Sequence, residues 1–114
     1  MPIRYIEVIR QIQQQYYREF IYKHQLEKIR KQFVERLELL NKEIRNLETD
    51  ILNFKETDEI ITITSNYYKK ALISEQSRLI ENIQEVDLDI TYTNSRLRYQ
   101  TKLSKKYLNL NHLG

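Results

Sequence analysis

Cysteine is absent from the chain, and its one glycine and one proline stand at the two ends, at Gly114 and Pro2. Without cysteine there is neither a disulfide framework nor a thiolate zinc site. Without Gly or Pro in the interior the two strongest turn signals are missing, which excludes an all-β or α/β fold with its many tight connections. A glycine-rich phosphate loop is excluded for the same reason. No apolar run approaches the ~20 residues that span a bilayer, and the opening MPIRYIEVIR has no uninterrupted apolar segment of the signal-peptide kind. The expectation is a soluble, cytoplasmic protein.

Apolar residues make up 40% of the chain and charged residues 31%. That balance suits long amphipathic helices with narrow buried stripes and is too apolar for a disordered tail. In the first half Leu26, Ile29, Phe33, Leu37, Leu40, Ile44, Leu47, Ile51 and Phe54 recur in steps of three and four, the spacing of a coiled-coil seam. Two successive four-residue steps around Phe33 resemble a stutter. Upstream, Ile9, Ile12, Tyr16 and Phe20 continue the stripe, and Val8, Tyr17, Ile21 and Tyr22 widen it beyond what one neighbouring helix covers. In the second half Leu72, Leu79, Ile83, Val86, Ile90 and Leu97 share a face, with Gln76 and Thr93 or Asn94 in seam positions. Past Leu97 the stripe drifts toward Tyr99, Leu103, Tyr107 and Leu110.

Between the two seams lies KETDEIITITSNYYKK, residues 55 to 70. Its run Ile60, Ile61, Thr62, Ile63, Thr64 is β-branched and mildly unfavourable in a helix, and helix-start residues flank it: Thr57 and Asp58 before, Ser65 and Asn66 after. The pattern predicts an all-α fold, a two-helix antiparallel coiled-coil hairpin forming one domain over 1–114. Arm 1 covers about 3–55, the bend about 55–66 and arm 2 about 67–110. The wide stripe predicts further packing, by self-association into a four-helix arrangement or against a larger protein.

Charge is unevenly placed. Residues 1–31 hold seven Lys/Arg against three Asp/Glu and residues 95–114 hold five against none, whereas residues 32–66 hold four against eight and residues 67–94 three against five. A hairpin brings the two basic stretches together as a tip rich in tyrosine, a composition suited to an acidic or polar partner surface. The candidate partner-binding residues are Arg10, Tyr16, Tyr17, Arg18 and Tyr22 on the first arm, and Arg96, Arg98, Tyr99, Lys102, Lys105, Lys106 and Tyr107 on the second. Cations near a helix C-terminus also complement the macrodipole, and tyrosines beside an apolar stripe serve as core edge, so packing accounts for part of this pattern.

Catalytic chemistry finds no footing. His24 and Glu27 stand one turn apart, but a carboxylate metal site in a bundle needs Glu-x-x-His in the opposite order, and twice. Asp87 and Asp89 point to different faces, and His112 sits near the chain end. No metal, cofactor or catalytic residue is expected, and the chain is not expected to be an enzyme. In overall shape the expected hairpin resembles the stalk proteins of type III secretion and flagellar export ATPases, and also prefoldin-type chaperone subunits and tubulin-binding cofactor A. The absence of interior glycine and of a β-hairpin pattern sets it apart from prefoldin. The sequence-based reading is therefore a helical protein–protein interaction module: an assembly component, adaptor or stalk. The alternatives are a small basic nucleic-acid-binding protein of viral or plasmid origin and a prefoldin-like or cofactor-like chaperone. Salt-dependent nucleic-acid binding is the feature that separates the second class from the first.

Overall fold

The computed structural model describes residues 3–54 and 59–113. They form two α-helices, α1 (Ile3–Phe54) and α2 (Glu59–Leu113), packed along each other as a helical hairpin. Among these residues the backbone has no cis peptide and no positive φ, so neither helix is broken by a strained residue. The chain divides into two compact units. Unit 1 comprises residues 1–29 and 86–114, and unit 2 residues 30–85.

Helix α2 begins earlier than the sequence suggests, and residues 55–58 of the expected bend lie outside the described residues. Helix α2 already starts at Glu59, so residues 59–66, assigned above to the bend, are helical and arm 2 gains eight residues. Thr57 and Asp58, the upstream pair of start signals, lie outside the described residues. Two effects favour helix over turn here. Each β-branched residue costs a helix only a few tenths of a kcal/mol relative to Ala, and Thr62 and Ser65 are half-buried, in step with the seam that leads on to Lys69 and Leu72. Glu59 in the first turn places a negative charge where the helix dipole favours it.

The core of unit 2 is Leu40, Ile44, Leu72 and Leu79, with Phe33, Leu37 and Leu47 packed against it, as the apolar spacing predicts. Burying each such side chain is worth ~1.5–3 kcal/mol, an upper value for a compact unfolded chain. In unit 1 the buried apolar residues are Ile9, Leu26, Val86 and Leu97. Within each unit the helices meet in the same antiparallel register. The paired residue numbers add to 111–117, from Lys69–Glu48 and Gln76–Asn41 in unit 2 to Arg96–Glu19 and Tyr5–Tyr107 in unit 1.

Three details of the predicted seams change. Ile29 is exposed, and so is Arg30 beside it, so between Leu26 and Phe33 no residue of α1 is even half-buried. Phe20 is exposed as well, and the position facing α2 belongs to Glu19, whose side chain is 12% exposed. Past Leu97, Leu103 and Tyr107 are half-buried as predicted, together with Gln100 and Ser104, while Tyr99 and Leu110 stay outside. At Phe20 and Tyr99 the predicted apolar residue is the neighbour of a more buried polar one, Glu19 and Gln100.

Candidate functional site

The two units finish their seams differently. In unit 2 the apolar core is covered by cross-helix polar contacts. Gln76 Nε2 donates to Asn41 Oδ1 at 2.7 Å, and Lys69 Nζ lies 3.3 Å from Glu48 Oε1. Arg36 Nη2 donates to Glu75 Oε1 at 3.0 Å, and the Tyr68 hydroxyl donates to Glu43 Oε1 at 2.5 Å. The hydrogen bond to Glu43, and then that carboxylate's charge, hold the Tyr68 phenol above its ordinary 10.0. On the outer face of α2 in this unit Ile60, Ile63 and Tyr67 are exposed, with Lys70 Nζ 5.9 Å from the Tyr67 ring centre.

Unit 1 sets polar residues among the apolar ones of its seam. Thr93 is fully buried; its hydroxyl donates to the Asp89 carbonyl at 2.7 Å and accepts from Arg96 Nη2 at 3.0 Å. Arg96 Nε in turn donates to Glu19 Oε1 at 3.1 Å. Glu19 Oε2 and Gln100 Oε1 are buried without a hydrogen-bond partner, a costly condition for polar atoms. Four hydroxyls on this part of α2, those of Thr91, Thr93, Ser95 and Thr101, bond back to carbonyls one turn earlier.

The apolar side chains that do not enter this seam face outward. Tyr16 stacks on Phe20 with ring centres 6.5 Å apart at 15°, and Phe20 meets His24 edge-on at 4.5 Å, a ladder of rings one turn apart along α1. His24 Nδ1 lies 3.5 Å from Glu27 Oε2. Among the described residues no group of three or more His, Asp or Glu side chains is placed to hold a metal ion. Tyr17, Tyr92 and Tyr99 are each 60% or more exposed.

The candidate residues separate into groups. Tyr16, Arg98, Lys102 and Lys105 line one groove of about 680 Å³ together with Lys23 and Thr101. A narrower groove of about 350 Å³ adjoins it, sharing Tyr16, Thr101 and Lys105 and adding Ile12, Gln100 and Ser104. Arg10, Tyr17 and Arg18 line a third, on α1, and Lys102, Lys105 and Lys106 a fourth, near the end of α2. Tyr22 is exposed beside none of these grooves. Arg96 is engaged by Glu19 and Thr93, and Tyr107 is half-buried with its ring centre 6.1 Å from that of Tyr5, so both belong to the packing of the helices. Lys23, Phe20 and Gln100 take part in the grooves or the ladder without having been singled out from sequence. The four-residue spacing of Tyr16, Phe20 and His24 was the available signal.

No described helix is long and apolar enough to cross a membrane. Comparison with protein-family models, with curated proteins and with solved structures finds nothing that matches this chain.

Proposed function

We propose that the chain is a non-enzymatic helical interaction module, an assembly component, adaptor or stalk, that engages another protein through unit 1. One observation carries the reading. Both units expose apolar side chains, Leu39, Ile60 and Tyr67 in unit 2 among them, but in unit 1 the Tyr16–Phe20–His24 ladder stands beside a groove that carries Arg98, Lys102 and Lys105. Contiguous exposed apolar surface beside polar groups is the composition of an interaction site. Unit 1 also carries ten Lys/Arg against five Asp/Glu, and unit 2 nine against eleven. A basic unit holding both helix ends suits a stalk of the export-ATPase kind among such modules.

The test is site-specific photo-cross-linking in the native host, with the reactive group at Tyr17 or Tyr99 in unit 1 and at Leu39 in unit 2. Protein adducts are expected at the first two positions and not at the third. Adducts at Leu39 alone would sink the reading. A nucleic-acid-binding role is the second reading, favoured by Lys102, Lys105 and Lys106, which have no ion pair among the described residues. It requires affinity for mixed-sequence DNA or RNA that falls steeply with salt and disappears when Arg98, Lys102, Lys105 and Lys106 are neutralised.

A further inference from the structure

Resting on that reading, we infer that the element bound by unit 1 is an acidic amphipathic helix, seated in the groove between the Tyr16–Phe20 stack on α1 and the row Arg98, Lys102, Lys105 on α2. The three cations stand at i, i+4 and i+7, a line about 10 Å long on one side of a helix. None of the three has an ion pair among the described residues; the Arg98 guanidinium reaches only the Ser95 hydroxyl, at 3.5 Å. Like charges three and four apart destabilise a helix, and carboxylates at the same spacing on an incoming helix reverse that cost. The fourth cation of the groove, Lys23, is held loosely, 3.8 Å from Glu27.

The α1 side of the groove sets a ring beside Lys23. Tyr16 lines the groove and Phe20 stacks on it, so a partner that satisfies both walls presents an apolar stripe beside an acidic row. That is the geometry of a helix laid in a groove, read as anchors at i, i+3 or i+4, and i+7. Nucleic acid fits less well, because Tyr16 and Phe20 are stacked on each other and Phe20 is also met edge-on by His24, which leaves less ring face to unstacked bases.

The experiment places p-benzoylphenylalanine at Phe20 in the full chain, irradiates cells of the native host, and sequences the attached segment by mass spectrometry. The expected adduct is a protein segment with Asp or Glu at i, i+4 and i+7 flanking an apolar helical stripe. Its yield should fall about tenfold with Lys102→Glu and Lys105→Glu together, and should hold with Lys31→Glu and Lys42→Glu, which change net charge equally in unit 2. Circular dichroism on each variant reports whether the helices are retained. A neutral or basic segment at Phe20, or an acidic one whose yield ignores the charge reversal, overturns the inference and leaves unit 1 an interaction site. An adduct with nucleic acid or with a second copy of this chain overturns the inference too. No adduct at Phe20, Tyr17 or Tyr99 overturns both the inference and the proposed function.

Discussion

A hydroxyl shut away from solvent costs free energy unless it is hydrogen-bonded, and Thr93 meets that cost by donating to Asp89 and accepting from Arg96. Thr93→Val keeps the shape and removes both bonds. Because the Arg96 side chain is 48% exposed and can rehydrate, the expected loss is modest, about 1 kcal/mol, measured by thermal or urea unfolding. Glu19→Leu with Thr93→Leu should act in the other direction and raise stability, since an apolar layer replaces one in which Glu19 Oε2 has no partner. A lower midpoint for the double variant would mean that the charged layer is itself stabilising. Tyr68 allows a second test at this scale. Its phenol is raised by the bond to Glu43, so protonation is favoured in the folded state. The associated stability is present below the ordinary 10.0 and is lost as pH rises through the higher folded value. In an ultraviolet titration the step missing from Tyr68→Phe should lie above the ordinary 10.0, and Glu43→Gln should bring it down. An unchanged step in Glu43→Gln would remove Glu43 as its cause.

At the scale of the helices, Leu40 and Thr62 separate the core from the entry of α2. Leu40→Ala should cost ~2–5 kcal/mol, because it empties a position in the buried cluster of unit 2. Thr62→Gly should cost ~0.5–1 kcal/mol, a helix-interior glycine penalty, where a bend would tolerate glycine with no loss. Unfolding curves showing no loss at Thr62 would return these residues to the turn. The same two positions mark what was legible in advance. Leu37, Leu40, Ile44, Leu72 and Leu79 were readable because burial and apolar spacing coincide there. The entry of α2 was not, because the burial of Thr62 and Ser65 in the seam overrides propensities of a few tenths of a kcal/mol, and no apolar residue marks those positions. Glu19, Gln100 and Ser104 are not legible for a related reason: four-three spacing is a property of the backbone, and it continues through whatever side chain occupies the position. Of the candidate site, the basic and tyrosine-rich character could be read from composition. Which cations pair internally could not, since Arg96 and Arg98 differ only in the face they occupy.

For the molecule as a whole, the hairpin brings distant parts of the sequence together within unit 1. Spin labels at Arg10 and Lys105 should report a separation near 20 Å in a chain diluted with unlabelled protein, given helix axes ~8–10 Å apart. A single continuous helix would separate them by ~140 Å. The purified chain should also enhance the fluorescence of an apolar dye, and Phe20→Glu should reduce the signal. Equal dye binding in both proteins would place the accessible apolar surface away from the ring ladder. The polar layers have one further effect. A strict seven-residue repeat is degenerate, since sliding one helix past the other by seven residues again sets seam position against seam position. Such a slip would carry Gln76 from Asn41 to Val34 or Glu48, and would set Arg96 and Thr93 against Leu26 or Ile12 in place of Glu19. Either slip sets the Arg96 guanidinium against hydrocarbon in place of the Glu19 carboxylate, and one of them sets the Gln76 amide against Val34, so the polar layers act as notches that favour one alignment of an otherwise repetitive thread.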